Sequence, residues 1–257
     1  MLSFVGLGLW DERDITVKGL EEVRNCDVAY AEFYTSKMGV GIERIEELAG
    51  KKIHVLSREE VEDGEWILHE AEKKHVCLLA GGDTMAATTH VDLRIRAVER
   101  GIPTRVVHGV SIVSAAAGLL GLQVYKFGKV VSIARPQPNF FPLSPYDAIR
   151  DNATMGMHSL LLLDTTGGYM TANEALELLL EMEERKKEHL ICEDTPVAVV
   201  ARVSSDDALA RAGCLGEMMS LDFGDTPHSV VLFGKLHVME IRALVTLAHA
   251  QEKIFKK

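Results

Sequence analysis

Apolar residues recur along this chain in two rhythms. Short runs at residues 2–7, 28–31, 53–56, Val76–Ala80 and 105–107 have the length and spacing of strands. Between them lie longer stretches with apolar positions three or four apart. Thr16 predicts the cap of a helix that turns Leu20 and Val23 inward. Residues 58–74 predict a second helix, with Val61, Ile67, Leu68 and Ala71 on its apolar side, and residues 86–100 a third. Strand and helix in alternation favour a mostly parallel sheet covered by helices on both faces.

The rhythm changes after Gly109. Residues 111–120 form a helix of small side chains, the kind that packs closely, as at a domain junction. A strand at 129–133, a proline-rich stretch from Arg135 through Pro145 and a strand at Ser159–Leu163 follow. Thr171 and Glu174 make a capping box ahead of a helix that runs to about 187, with Leu176, Leu179 and Leu180 inward. Strands at 197–203, 210–218 and 229–233 then succeed one another, and a helix over 238–253 closes the chain. The expected organisation is two α/β domains, 1–110 with a mostly parallel sheet and 111–257 with a mixed one.

Composition narrows the function classes. Of 257 residues 47% are hydrophobic and 26% charged, a globular balance, and no apolar run is long enough to span a bilayer. The opening residues lack the basic segment and cleavage site of a signal peptide, so a cytoplasmic protein is expected. The net charge of −10 argues against an extended nucleic-acid surface. Cys26, Cys77, Cys192 and Cys214 are scattered without C-x-x-C spacing, so no metal site is expected. Three Gln and four Asn against abundant Glu and Lys hint at a thermophile.

Candidate chemistry lies at three glycine-bearing strand ends: Gly6-Leu7-Gly8, Gly81-Gly82-Asp83 and His108-Gly109-Val110-Ser111. Ligands of open α/β sheets sit outside the carboxyl ends of strands, where glycine lets backbone N–H groups approach closely. Each glycine alone reads as a tight turn; together they favour a nucleotide-like ligand. Asp11 stands where a dinucleotide fingerprint would need its third glycine, and no P-loop motif is present. On the residues alone, a non-catalytic nucleotide-binding regulator stays open beside an enzyme.

The run from Phe4 to Thr16, the hexapeptide Ala31-Glu32-Phe33-Tyr34-Thr35-Ser36, the loop from Gly81 to His90, and the stretches 108–111, 125–128, 170–175 and 222–228 resemble diphthine synthases, in order along almost the whole chain. Thr84 departs from the proline that many relatives in the wider tetrapyrrole-methylase superfamily carry. The resemblance implies a two-domain class III methyltransferase fold of archaeal type, a homodimer, with S-adenosylmethionine in the cleft between the domains. By motif, the cofactor contacts would be Leu9, Asp83, Ala86, Ser111, Ile112, Leu163, Val203 and His228. It further implies methylation, to the trimethyl state in archaeal relatives, of the amino group on a 2-(3-amino-3-carboxypropyl)histidine of translation elongation factor 2. Eukaryotic relatives add a methyl to the carboxylate.

No side chain stands out as a catalytic base. His228 reads as a pocket wall acting through its backbone, His90 as a helix-surface histidine and His158 as one at a strand edge. Arg135 and Tyr169 fall in loops expected near the cleft. A tetrapyrrole methyltransferase would share this fold; residues 31–36 and 222–228 speak for the diphthine synthases instead.

Overall fold

The computed structural model describes residues 1–256. It divides into two compact units, Met1–Ile112 with Ser204–Asp206, and Val113–Val203 with Asp207–Lys257.

The first unit is built on β1 (Leu2–Gly6), α1 (Val17–Asn25), β2 (Val28–Glu32), α2 (Ile42–Ala49), β3 (Ile53–Val55), α3 (Arg58–Asp63), α4 (Glu65–Ala71), β4 (Val76–Ala80), α5 (His90–Glu99) and β5 (Thr104–Val107). Its five strands pair in the order β3-β2-β4-β1-β5, all parallel. Side chains alternate across each strand, so both faces need cover. Val5, Leu7, Cys77 and Leu79 bury one face with Val23 and Ile45 of α1 and α2. Leu2, Phe4, Val76 and Leu78 bury the other with Val61, Ile67, Leu68 and Leu93 of α3, α4 and α5. The adjacent strands β1 and β4 therefore send their following chain to opposite faces. This is the arrangement that opens a ligand crevice at strand carboxyl ends.

Local chemistry accounts for the element boundaries. The Thr16 hydroxyl accepts from the Gly19 amide, as expected of a cap. The helix expected over 58–74 is two helices, because Gly64 breaks it in left-handed conformation at φ 61°. The helix expected from residue 86 begins only at His90, since residues 84–89 form turns. Helix α2, unforeseen, is held at its end by Gly50.

In the second unit α6 (Ile112–Leu120) carries the chain in, followed by β6 (Val131–Ile133), α7 (Ser144–Thr154), β7 (Ser159–Leu163), α8 (Ala172–Lys186), β8 (Pro196–Ala201), β9 (Leu209–Cys214), α9 (Leu215–Met219), β10 (His228–Leu232) and α10 (Val238–Leu247). The sheet order is β6-β7-β10-β8-β9; β6 and β7 are parallel and the remaining pairs antiparallel. One core of α7 and α8 residues against the sheet includes Tyr146, Ile149, Leu176, Leu179, Val199 and Val230. The Thr171–Glu174 capping box forms, both of its hydrogen bonds present. The proline-rich stretch ends in a helix: Pro145 sits in the first turn of α7, where its missing N–H costs nothing. The single strand expected at 210–218 is β9 followed by α9, and the closing helix stops at Leu247.

Two histidines lie differently than expected. His90 is 1% exposed and His158 fully buried, neither on a surface nor at a wet edge. Each is buried because it has polar partners distant in sequence. His158 Nδ1 accepts from the Gly234 amide at 2.9 Å, so its proton is on Nε2, 3.2 Å from the Glu240 carboxylate. Glu240 also accepts from the amides of Gln123 and His237 and from Lys126. Burial pushes the carboxyl up, but these donors outweigh it and hold it at about 2. Burial in turn lowers His158, against the opposing pull of Glu240.

Among the described residues no helix is long and apolar enough to cross a membrane, and no group of His, Cys, Asp or Glu is arranged to hold a metal.

Candidate functional site

The three glycine strand ends converge within the first unit. Strands β4, β1 and β5 are neighbours, so their carboxyl ends lie side by side. Gly8 and Gly82 exchange backbone hydrogen bonds. A Cβ on Gly6 would stand 2.6 Å from the Gly82 carbonyl oxygen, and one on Gly109 would stand 2.9 Å from the Gly6 backbone and collide with the Gly82 carbonyl. Only glycine permits this approach. Gly8 and Gly82 also adopt φ of 81° and 71°, the left-handed region.

Each turn is braced by a carboxylate. The loop after β1 wraps around Asp14, whose Oδ2 accepts from the amides of Leu9 at 3.2 Å and Trp10 at 2.8 Å. The Ser204 hydroxyl donates to the other oxygen at 2.6 Å. Asp11, in place of a third glycine, caps the short turn at Glu12–Asp14 and pairs with Arg13. The loop after β4 is organised by Asp83. Its Oδ1 accepts from the Met85 amide at 2.8 Å and its backbone carbonyl from the Ala86 amide. Its Oδ2 meets His108 Nδ1 at 2.7 Å. A carboxylate oxygen accepts more than one bond, so Asp83 keeps capacity for a ligand hydroxyl or cation. From the sequence His108 stands in one of the glycine motifs without a role of its own, and Asp14 and Ser204 have none. Their roles rest on contacts between separate turns, which no single motif displays.

Leu9, Asp83, Ala86 and Ser111 thus lie on the turns at this end of the first sheet, and Ile112 opens α6. The remaining expected contacts belong to the second unit and share one end of its sheet. Leu163 ends β7, His228 begins the antiparallel neighbour β10, and Val203 follows the end of β8 on its other side. His228 Nδ1 accepts from the Ala172 amide at 3.1 Å, so Nε2 carries the proton toward the Asp225 carbonyl at 3.0 Å. Both ring nitrogens are engaged within the fold. The 222–228 turn has its own anchor in Arg202, which donates to the carbonyls of Phe223 and Asp225 and pairs with Asp207 at 2.7 Å. Arg135 is likewise occupied, on the carbonyls of Thr166 and Gly168 and on Glu174.

A parallel sheet with glycine turns gathered at its carboxyl end, in a chain with a second, mixed sheet, is the architecture of a methyltransferase class. Residues 1–218 match the family of Tetrapyrrole (Corrin/Porphyrin) Methylases. The chain is 48% identical to the diphthine synthase of Methanosarcina acetivorans, covering all of this chain and 99% of the relative. It is 47% identical to that of Methanocaldococcus jannaschii, over 95% and 97% of the two chains. A crystal structure of diphthine synthase superposes with a TM-score of 0.92 at 36% identity, covering 99% of this chain and 98% of that one. The chain therefore belongs to the diphthine synthases, within the tetrapyrrole methylases, and is a methyltransferase.

Proposed function

We propose that this protein uses S-adenosylmethionine to methylate, to the trimethyl state, the amino group of a 2-(3-amino-3-carboxypropyl)histidine on translation elongation factor 2, a step in diphthamide biosynthesis. The support is the full-length likeness to diphthine synthases. The observation that carries a nucleoside-type cofactor is the convergence of Gly6, Gly8, Gly82 and Gly109 beside Asp83. A cradle without side chains lets a flat, polar ligand lie close against the backbone. A carboxylate on its rim suits a hydroxyl pair or a positive charge. Bound S-adenosylmethionine supplies a methyl group already activated by its sulfonium. Leu9, Ala86, Ser111 and Ile112 line the proposed contact through backbone and shape, Asp83 through its carboxylate. Leu163, Val203 and His228, of the second unit, are proposed as further contacts.

No side chain is assigned as a base, and His228 is unsuited because both of its nitrogens are occupied. An amine nucleophile needs its free pair, restored before each transfer by loss of a proton to water, and alignment with the methyl, and alignment is worth on the order of 7–11 kcal/mol at most. We further propose a cytoplasmic homodimer that takes a protein substrate and no nucleic acid. The test is incubation with methyl-labelled cofactor and unmethylated elongation factor 2, with mass spectrometry to count methyl groups. Three methyl groups on the modified histidine is the expected result. Label on uroporphyrinogen and none on the protein would transfer the enzyme to the tetrapyrrole branch.

A further inference from the structure

Glu32 is the last residue of β2, paired in register with Ala80 and so directly beside the start of the Gly81-Gly82-Asp83 turn. Its side chain is wholly buried. The Thr35 amide donates to Oε2 at 3.0 Å and the Thr35 hydroxyl to Oε1. His90 Nε2 lies 3.4 Å from the same Oε1, within ion-pair reach of the carboxylate when the imidazole is protonated but not hydrogen-bonded to it, and the ring is also fully buried. On the far side of that ring, Nδ1 is 3.0 Å from the Thr84 carbonyl oxygen. A carbonyl can only accept, so Nδ1 carries a proton and donates it there. The Thr88 hydroxyl donates to the same carbonyl at 2.5 Å.

Thr84 is fully buried and immediately follows Asp83. The turn it belongs to is bent tightly enough to put Ala87 at φ 59°, a conformation uncommon for alanine. Ser36 packs against Gly81, where an added Cβ would stand 2.9 Å from the Ser36 Cβ. The segment 32–36 is therefore built around the Asp83 turn. A buried carboxylate and imidazole are poor sources of net stability, since well-packed apolar residues of similar volume often do as well. What they provide instead is direction: one carbonyl, one residue from Asp83, held by two donors.

We propose that Glu32 and His90 are positioning residues for the methyl-transfer site. Glu32 orients the His90 ring, His90 fixes the Thr84 carbonyl, and the fixed turn presents the Asp83 carboxylate to the cofactor. The inference rests on the reading that Asp83 contacts the cofactor. It extends that reading to two residues that touch no ligand.

Two readouts separate the layers. The first is amide hydrogen exchange at Met85 and Ala86 in the ligand-free protein. His90→Leu removes the donor to Thr84 and should raise exchange there, whereas His90→Asn, whose amide can stand in for Nδ1–H, should restore protection. Unchanged exchange in His90→Leu overturns the proposal whatever the cofactor does. The second is titration with S-adenosylhomocysteine. Glu32→Gln should weaken binding on the order of tenfold in the native background, and less than about twofold when Asp83 is already alanine, because the two act through one contact. Equal losses in both backgrounds would make Glu32 a general structural residue and overturn the proposal. Unchanged affinity in Asp83→Ala alone would instead sink the assignment of Asp83 to the cofactor.

Discussion

Glu32 and Glu240 are both buried carboxylates beside a buried histidine, one in each unit, yet they are connected to different things. Glu240 gathers Lys126, two backbone amides and His158, joining the turn before β6, the start of β7 and the first turn of α10. Every partner is part of the scaffold. Glu32 accepts from Thr35, and the imidazole it faces continues to a carbonyl beside Asp83. The same pair of side chains serves cohesion in one place and aim in the other. What the histidine's far side touches, rather than the pair itself, sets its function.

The comparison is open to breaking at four points. Glu240→Gln should cost the most, about 3 kcal/mol of stability, because Lys126 and His158 lose a charged acceptor in a buried site. Thermal or denaturant unfolding measures it, and a loss below about 1 kcal/mol would remove the distinction. Acid should act through the same network. The folded-state value of His158 lies below its ordinary 6.5, so the unfolded chain binds the proton first and stability falls as pH drops below that value. Glu240, held at about 2 against an ordinary 4.5, adds a second loss across that interval. A melting series from pH 7 to pH 3 should show both, and Glu240→Gln should flatten the second.

Smaller effects belong to the glycine turns. Gly109→Ala should destabilise by roughly 2 kcal/mol, because its methyl would meet the Gly82 carbonyl and the Gly6 backbone, neither of which can yield without moving a strand end. Unfolding curves test this, with loss of cofactor binding alongside. Asp83→Ala should leave stability within about 0.5 kcal/mol of the parent, since its partners lie on an accessible turn. Calorimetry should show affinity for S-adenosylhomocysteine falling about tenfold, the loss of one charged hydrogen bond.

Much of the fold could be read from apolar spacing. Strands β4 and β7 lie where their unbroken runs put them, and the caps at Thr16 and Thr171 form as their side chains require. What spacing did not reveal was decided by contacts remote in sequence or by backbone conformation. Gly64 splits one expected helix by its left-handed geometry, and its lack of a side chain leaves the space that Leu93 fills. The proline-rich stretch ending at Pro145 gave no sign of a helix, although a proline in a first turn starts one. His90 reads from sequence as a helix-surface residue and His158 as a strand-edge one because the glutamates that make burial tolerable lie 58 and 82 positions away in number. For the candidate site, the glycine ends and Asp83 were legible as motifs. The brace of His108 on Asp83 was not, because it joins the ends of strands that are separated in the chain.

The bond from Ser204 to Asp14 ties residues 190 apart in the chain. During synthesis the turn after β1 emerges early, but its last polar partner arrives only when most of the polypeptide has left the ribosome. A fragment ending near residue 112 would carry every strand of the parallel sheet and still lack this clasp. Order in the Leu9 turn is thus expected late in maturation, after the sheet that bears it has formed.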